Sequence, residues 1–203
     1  MRDVVVTPVQ YSGPPRRSRN FEERLIVRFP SLHRRPTALA WRLLSPHSRL
    51  RRAFLRRAVR SGWAAGNRRD FELVLVRYAS DVEVAFDPGF QTLGVGEPAR
   101  GHRAMVEAWS TLLEAWDAEA EPCYIVDLRD RLLSLVFVRT QGRASGVKLD
   151  REVAQLVTVR DGLTTREQLL FGWEEGLRAA GLDPDAVALP VRGKTSQAAS
   201  SAG

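Results

Sequence analysis

The chain has 203 residues, 44% of them hydrophobic and 27% charged, with a formal net charge of +7, which fits one domain with tails and a sizeable core. No uncharged apolar run approaches the roughly eighteen residues of a membrane span, and residues 1–20 hold no apolar block of signal-peptide length, so the expected compartment is the cytoplasm. The charge is uneven: residues 1–60 carry 15 Arg against three acids, a local +12, while the remaining 143 residues carry 16 basic against 21 acidic residues, a local −5.

In chain order, residues 1–20 combine Pro8, Pro14, Pro15 and several Arg with little to bury, the composition of a disordered arm. Residues 21–49 form a Pro/Arg-rich, partly helical extension in which Pro30, Pro36 and Pro46 confine helices to short pieces. Its best piece is Thr37–Leu44, with Leu39, Trp41, Leu43 and Leu44 available to dock on a main domain at 50–190. There, Phe54, Ala58, Gly62 and Ala65, flanked by Leu55, Val59 and Trp63, make the wide apolar stripe of a helix lying on a sheet. The chain turns at Asn67 and opens another helix at Asp70. Met105, Val106, Trp109, Leu112, Leu113 and Trp116 define a further buried helix after Gly101-His102.

Strands are predicted at 82–86, 124–128, 132–140, 154–160 and 164–171, with hairpins at Arg129-Asp130 and Asp161-Gly162. Residues 132–138 are apolar at both parities, so that strand is expected to be covered on both faces, the outer one by a second copy of the chain. Cys123 is the only cysteine, which excludes an intramolecular disulfide and a cysteine-based zinc site, and beside Tyr124 and Ile125 it reads as a small core residue. Residues 191–203 show no apolar periodicity and are read as an unstructured tail.

The run Arg57–Leu73 continuing into Tyr78-Ala-Ser-Asp-Val-Glu-Val, then Arg100–Trp109 and Val153–Leu163, resembles in order and spacing the SnoaL-like family of the nuclear transport factor 2-like superfamily. The resemblance covers roughly 50–182 and implies an α+β cone, a curved mixed or antiparallel sheet wrapped around helices, enclosing a pocket and associating as a homodimer. The scaffold hosts unrelated chemistries, so activity must be judged position by position. Against the ketosteroid isomerase relatives, the general base falls on Phe86, with Asp87 one residue late and turned to the other side of the strand. The catalytic tyrosine of those relatives falls on Gly62 and the oxyanion-holding acid on Gln155. The charged strand pair of the epoxide hydrolase relatives falls on the uncharged run 132–138, with Leu169 at the last-strand position. The His and Asp common in SnoaL-like members fall on Gln155 and Gly172, and Gly66 and Arg69 replace the usual aromatic and glycine.

By the same alignment Glu167, Leu169 and Phe171 face inward on the last strand, and Gln155, Val157 and Val159 share one face of the strand before it. Glu167 is then a candidate proton shuttle, its pKa raised by desolvation, with Gln155 able to orient a carbonyl or enolate. The competing reading pairs Glu167 with Arg166, Arg151 or solvent. Trp63, Tyr78, Phe86, Met105, Trp109, Val157, Leu169 and Phe171 are the expected lining. His102 opens a helix and is read as structural, Gly94–Pro98 as a mobile flap, and no metal-ligand spacing exists, so neither metal nor cofactor is expected.

The expected function is a pocket for a small apolar or aromatic molecule, with catalysis left open. One alternative is a polyketide-cyclase- or isomerase-like enzyme using Glu167. The other is a non-catalytic dimeric interaction module whose basic arm meets nucleic acid or an anionic membrane.

Overall fold

Along the chain the elements run β1 Val6–Pro8, α1 Phe21–Arg28, α2 Ser31–Leu43, α3 Arg49–Asn67, α4 Phe71–Leu75, β2 Tyr78–Phe86, β3 Ala99–Arg100, α5 Gly101–Ala115, β4 Trp116–Asp127, β5 Arg131–Gly142, β6 Lys148–Arg160, β7 Leu163–Phe171 and α6 Trp173–Ala179. The computed structural model describes residues 5–9, 18–95 and 97–189, so the tail expected at 191–203 lies outside them. The sheet is ordered β1-β4-β5-β6-β7-β2-β3, and only the β2–β7 pair is parallel. This mixed, curved sheet wraps α3 and α5 as the α+β cone requires.

The strand core follows from alternation. On β5, Leu132 turns to the concave side against Leu55 and Val157, while Leu133 and Leu135 turn to the convex side. Tight turns join the long strands: Arg129 (φ 78°) between β4 and β5, and Asp161 (φ 50°) with Gly162 (φ 78°) between β6 and β7. Gly162 is doubly constrained, because a Cβ there would also lie 2.4 Å from the Arg34 carbonyl oxygen of α2.

β4 reaches back to Trp116, well before the expected start at 124. Its first half is only weakly apolar, yet Ala120 turns inward, and Asn67 pairs with that residue's backbone from the far edge, Nδ2 to O at 2.9 Å and N to Oδ1 at 2.9 Å. The amide side chain stands where a neighbouring strand would.

Two expectations for the N-terminal region need correction. Within the segment read as a disordered arm, Val6–Pro8 form an edge strand on β4, and Val9 enters the core beside Leu55 and Ile125. A short strand suffices because its backbone is paired along the β4 edge, with Pro8 tolerated there. In the extension, Pro36 lies inside the 13-residue α2 rather than ending a helix. Trp41 packs inward, but Leu39 (59% exposed) and Leu43 (71%) point to solvent instead of docking.

Part of the convex face is covered within the chain by α6. Trp173, Leu177 and Ala180 lie on Leu133, Leu135, Ala154 and Leu156, and Trp173 Nε1 donates to the Val136 carbonyl at 2.9 Å. Trp173 also meets Tyr124 edge-on at 5.6 Å between centroids. A Cβ on Gly176 would come within 2.2 Å of Ala154 Cβ, so the helix backbone rests directly on β6. Of the apolar residues that suggested a second copy of the chain, Leu133 and Leu135 are thus met by α6. Among the described residues no helix is long and apolar enough to cross a membrane.

Candidate functional site

The extension is fastened to the cone by a buried arginine. Arg51, 1% exposed, holds both oxygens of Asp127 (Nε–Oδ2 2.6 Å, Nη2–Oδ1 2.9 Å) and donates to the carbonyls of Trp41, Leu44 and Arg129. Every N–H of the guanidinium is used, so a desolvated ion pair is tolerated here. Asn20 and Glu23 form a capping box at the start of α1, Glu23 reaches Arg68 at 3.0 Å, and Arg19 reaches Asp70 at 2.6 Å. These bonds hold α1 and α2 over the wide end of the cone.

Beneath them is a cavity of about 500 Å3. α3 supplies Phe54, Ala58, Val59, Gly62 and Trp63, α5 supplies Met105 and Trp109, and the sheet supplies Ser134, Gln155, Val157, Leu169 and Phe171. His33, Thr37 and Trp41 of α2 close it from above. They recur every four residues and so share one face of the helix.

Of the expected lining residues, Trp63, Tyr78, Met105, Trp109, Val157, Leu169 and Phe171 do border the cavity, and Phe86 does not. Phe86 packs behind the wall against Phe90, 5.9 Å between ring centroids, and Phe90 takes the inner position, stacked on Phe171 at 4.2 Å. Phe90 sits on the short 3-10 helix Pro88–Leu93, which Gly94 caps and Val95 anchors by burial. The segment read as a flap is therefore seated at this end. Asp87 is committed to that turn, its Oδ1 accepting from Gly89 N at 2.7 Å.

Gln155 and Glu167 lie together on adjacent strands, as their pairing partners require. The Gln155 amide borders the cavity and donates from Nε2 to Glu167 Oε1, with the Tyr78 hydroxyl 3.5 Å from the same nitrogen. Glu167 itself is 0% exposed and stands behind the cavity wall, screened from the hollow by Tyr78 and Gln155. The alternative partners Arg166 and Arg151 make no ion pair with it among the described residues, and its Oε2 is buried without a hydrogen-bond partner. Burial raises the Glu167 pKa, only partly offset by the Gln155 hydrogen bond and the nearby Tyr78 phenol. Burial, reinforced by the nearby Glu167 carboxyl, pushes the Tyr78 phenol well above its ordinary value.

His102 Nε2 lies 3.1 Å from the Tyr78 carbonyl oxygen and ties the start of α5 to β2, a structural role. Among the described residues no group of three or more His, Cys, Asp or Glu is placed to hold a metal ion. Sequence reasoning passed over His33 and Arg77. The His33 imidazole is held down to about 4, first by burial and then by the charge of Arg77. The signal for Arg77 was present: a lone cation in the apolar run Leu73-Val-Leu-Val-Arg-Tyr between a helix and a strand.

The architecture is the NTF2-like cone fold. Solved structures of that fold match most of their own length: an NTF2-like protein of unknown function from Burkholderia pseudomallei (20% identity, 60% of this chain and 93% of that one, TM-score 0.53), TerC co-crystallized with polyporic acid (22%, 57% and 89%, 0.52), and a putative isomerase from Rhodopseudomonas palustris (15%, 63% and 96%, 0.50). At these identities the likeness establishes the fold alone. No family model matches the chain, and no curated protein does.

Proposed function

We propose that the protein binds a small apolar or aromatic molecule inside the cone. The observation that carries this reading is the cavity of about 500 Å3 itself, walled by Trp, Phe, Leu and Val with few polar groups. Hydrophobic walls supply affinity, while Gln155 and Tyr78 offer fixed polar contacts to a carbonyl or hydroxyl. Catalysis by Glu167 would have to pass through Tyr78, because Glu167 does not meet the hollow: the phenol would give its proton to the ligand as the carboxyl proton of Glu167 moves to the phenol oxygen. Mass spectrometry of small molecules released from natively purified protein tests the binding reading. A stoichiometric apolar compound supports it, and protein that is empty and gains no heat stability from any member of an aromatic library counts against it.

A second reading concerns the outer face of α2. Leu32 (52% exposed), Leu39 and Leu43 lie along one stripe, flanked by Arg35 and Arg42, and Phe29 and Leu50 are also exposed nearby in sequence. Apolar residues bordered by arginine match an anionic bilayer surface, whose acyl boundary takes the leucines and whose headgroups take the arginines. Sedimentation with phosphatidylglycerol vesicles but not phosphatidylcholine vesicles, lost in the double variant Leu39→Ser and Leu43→Ser, is the expected result. Binding to RNA or DNA of equal charge with no vesicle binding, or a dimer broken by the same substitutions, would replace the bilayer.

A further inference from the structure

We infer that the cavity ligand is an acid: a small aromatic or apolar molecule whose carboxylate, or an equivalent anionic head, pairs with the Arg77 guanidinium in the cavity wall. This rests on the binding reading above and specifies its chemistry.

Arg77 is pinned between α4 and β2. Its N–H donates to the Val74 carbonyl at 3.0 Å and its carbonyl accepts from Thr164 N–H at 2.8 Å, so the side chain leaves from a fixed point. Nη1 donates to the Ala58 carbonyl at 2.9 Å and Nη2 to Ser61 Oγ at 3.0 Å, both neutral acceptors on α3. Nε is buried with no partner. Gly62 lies next to it: a Cβ there would be 3.8 Å from Nη1, and any longer side chain would cover the guanidinium from the hollow.

What is missing is a carboxylate. Two other enclosed arginines have one, Arg51 with Asp127 and Arg68 with Glu23. No acid lies within ion-pair distance of Arg77 among the described residues, and Glu22 and Glu23, which touch it only through space, are committed to Arg57 and Arg68. An arginine stays charged at neutral pH even when burial lowers its pKa, so a cation without an ion-pair partner borders a largely apolar hollow, whose other lining arginine, Arg151, is exposed. Glu167 does not neutralise it, being bound to Gln155.

Two further observations point the same way. The buried donors that lack acceptors among the described residues are Arg77 Nε and Trp41 Nε1, and both residues line this one cavity. His33, held neutral first by burial and then by the charge of Arg77, also lines it and has an N–H to give. The wall is thus short of acceptors, which an anionic ligand would bring. A charge-assisted pair formed away from water is stronger than one at the surface, so the acid should be favoured well beyond its neutral analogue.

The test compares 2-naphthoate with its neutral analogue 2-naphthamide by calorimetric titration of the full-length protein. Naphthoate is expected to bind about tenfold more tightly, a preference Arg77→Gln removes while naphthamide still binds and Arg77→Lys retains in part. Equal affinity of the two compounds for the wild-type protein overturns the inference and leaves the apolar cavity standing. Binding of neither overturns both. The wild-type comparison needs no variant, so the outcome stands even if Arg77→Gln fails to fold.

Discussion

Gln155 donates its amide hydrogen to Glu167 across the β6–β7 pair, leaving the other carboxyl oxygen of Glu167 buried and unpartnered. A carboxylate so placed has lost its hydration without gaining a cation, so the neutral acid is the form the fold favours. Because the folded-state pKa is raised, the native state holds its proton more tightly than the unfolded chain. Stability is therefore expected to fall as pH rises above the ordinary value of 4.5 until the folded group ionises. Glu167→Gln should flatten this slope and leave the protein at least as stable at pH 7, as chemical denaturation across pH 4 to 8 will reveal. If Tyr78 and Glu167 move a proton for a bound substrate, the same variant loses turnover.

The reverse sign holds for His33. Its folded pKa, about 4, lies below the ordinary 6.5, so the stability it contributes is complete above pH 6.5 and is lost as pH falls toward 4. A slope of up to about 1.4 kcal/mol per pH unit is the single-proton limit. Acidification should loosen α2 first, since His33 sits on its inner face. Protease cleavage within 21–49 is expected to speed up between pH 6.5 and 5, and His33→Gln should remove that acceleration.

Arg51 joins α3 to the carbonyl ends of α2 and to Asp127 on β4. Arg51→Met leaves Asp127 buried without its cation and frees the Trp41 and Leu44 carbonyls, a loss of about 3–5 kcal/mol. Cleavage within the extension should then precede global unfolding. An unchanged melting temperature would mean that the extension is held by other contacts.

Gly176 and Ala154 meet so closely that no methyl fits between them. Gly176→Ala gains helix propensity worth roughly 1 kcal/mol, but the overlap should outweigh it and destabilise by about 1–3 kcal/mol. Pairing it with Ala154→Gly restores the space, and urea denaturation of the double variant should recover much of the loss.

The long strands and the α3 and α5 stripes were legible because burial on one side imposes a period of two or 3.6 on the residues. β1 and β3 are too short to show any period, and the first half of β4 hides its strand character behind Asp117, Glu119 and Glu121. The cover on the convex face was hidden for a similar reason: α6 is seven residues long, and its fit depends on Gly176 meeting Ala154, a contact between distant positions. At the site, the alignment and strand parity put both Gln155 and Glu167 on the inward face, and of the two only Gln155 borders the cavity. Parity says nothing about depth, and so could not tell that Tyr78 and Gln155 stand between Glu167 and the hollow. His33 and Trp41 reach the cavity through the packing of the extension, which no local pattern encodes, whereas Arg77 was marked by its place as a lone cation in an apolar run.

The central claim, an open apolar cavity that takes a small molecule, is tested most directly by titration with N-phenyl-1-naphthylamine, a neutral fluorophore that brightens when removed from water. Saturable binding of about one equivalent per chain, weakened when Gly62→Leu intrudes on the hollow, is the predicted result. A fluorescence that rises without saturation, or that is indifferent to Gly62→Leu in a folded variant, would contradict it.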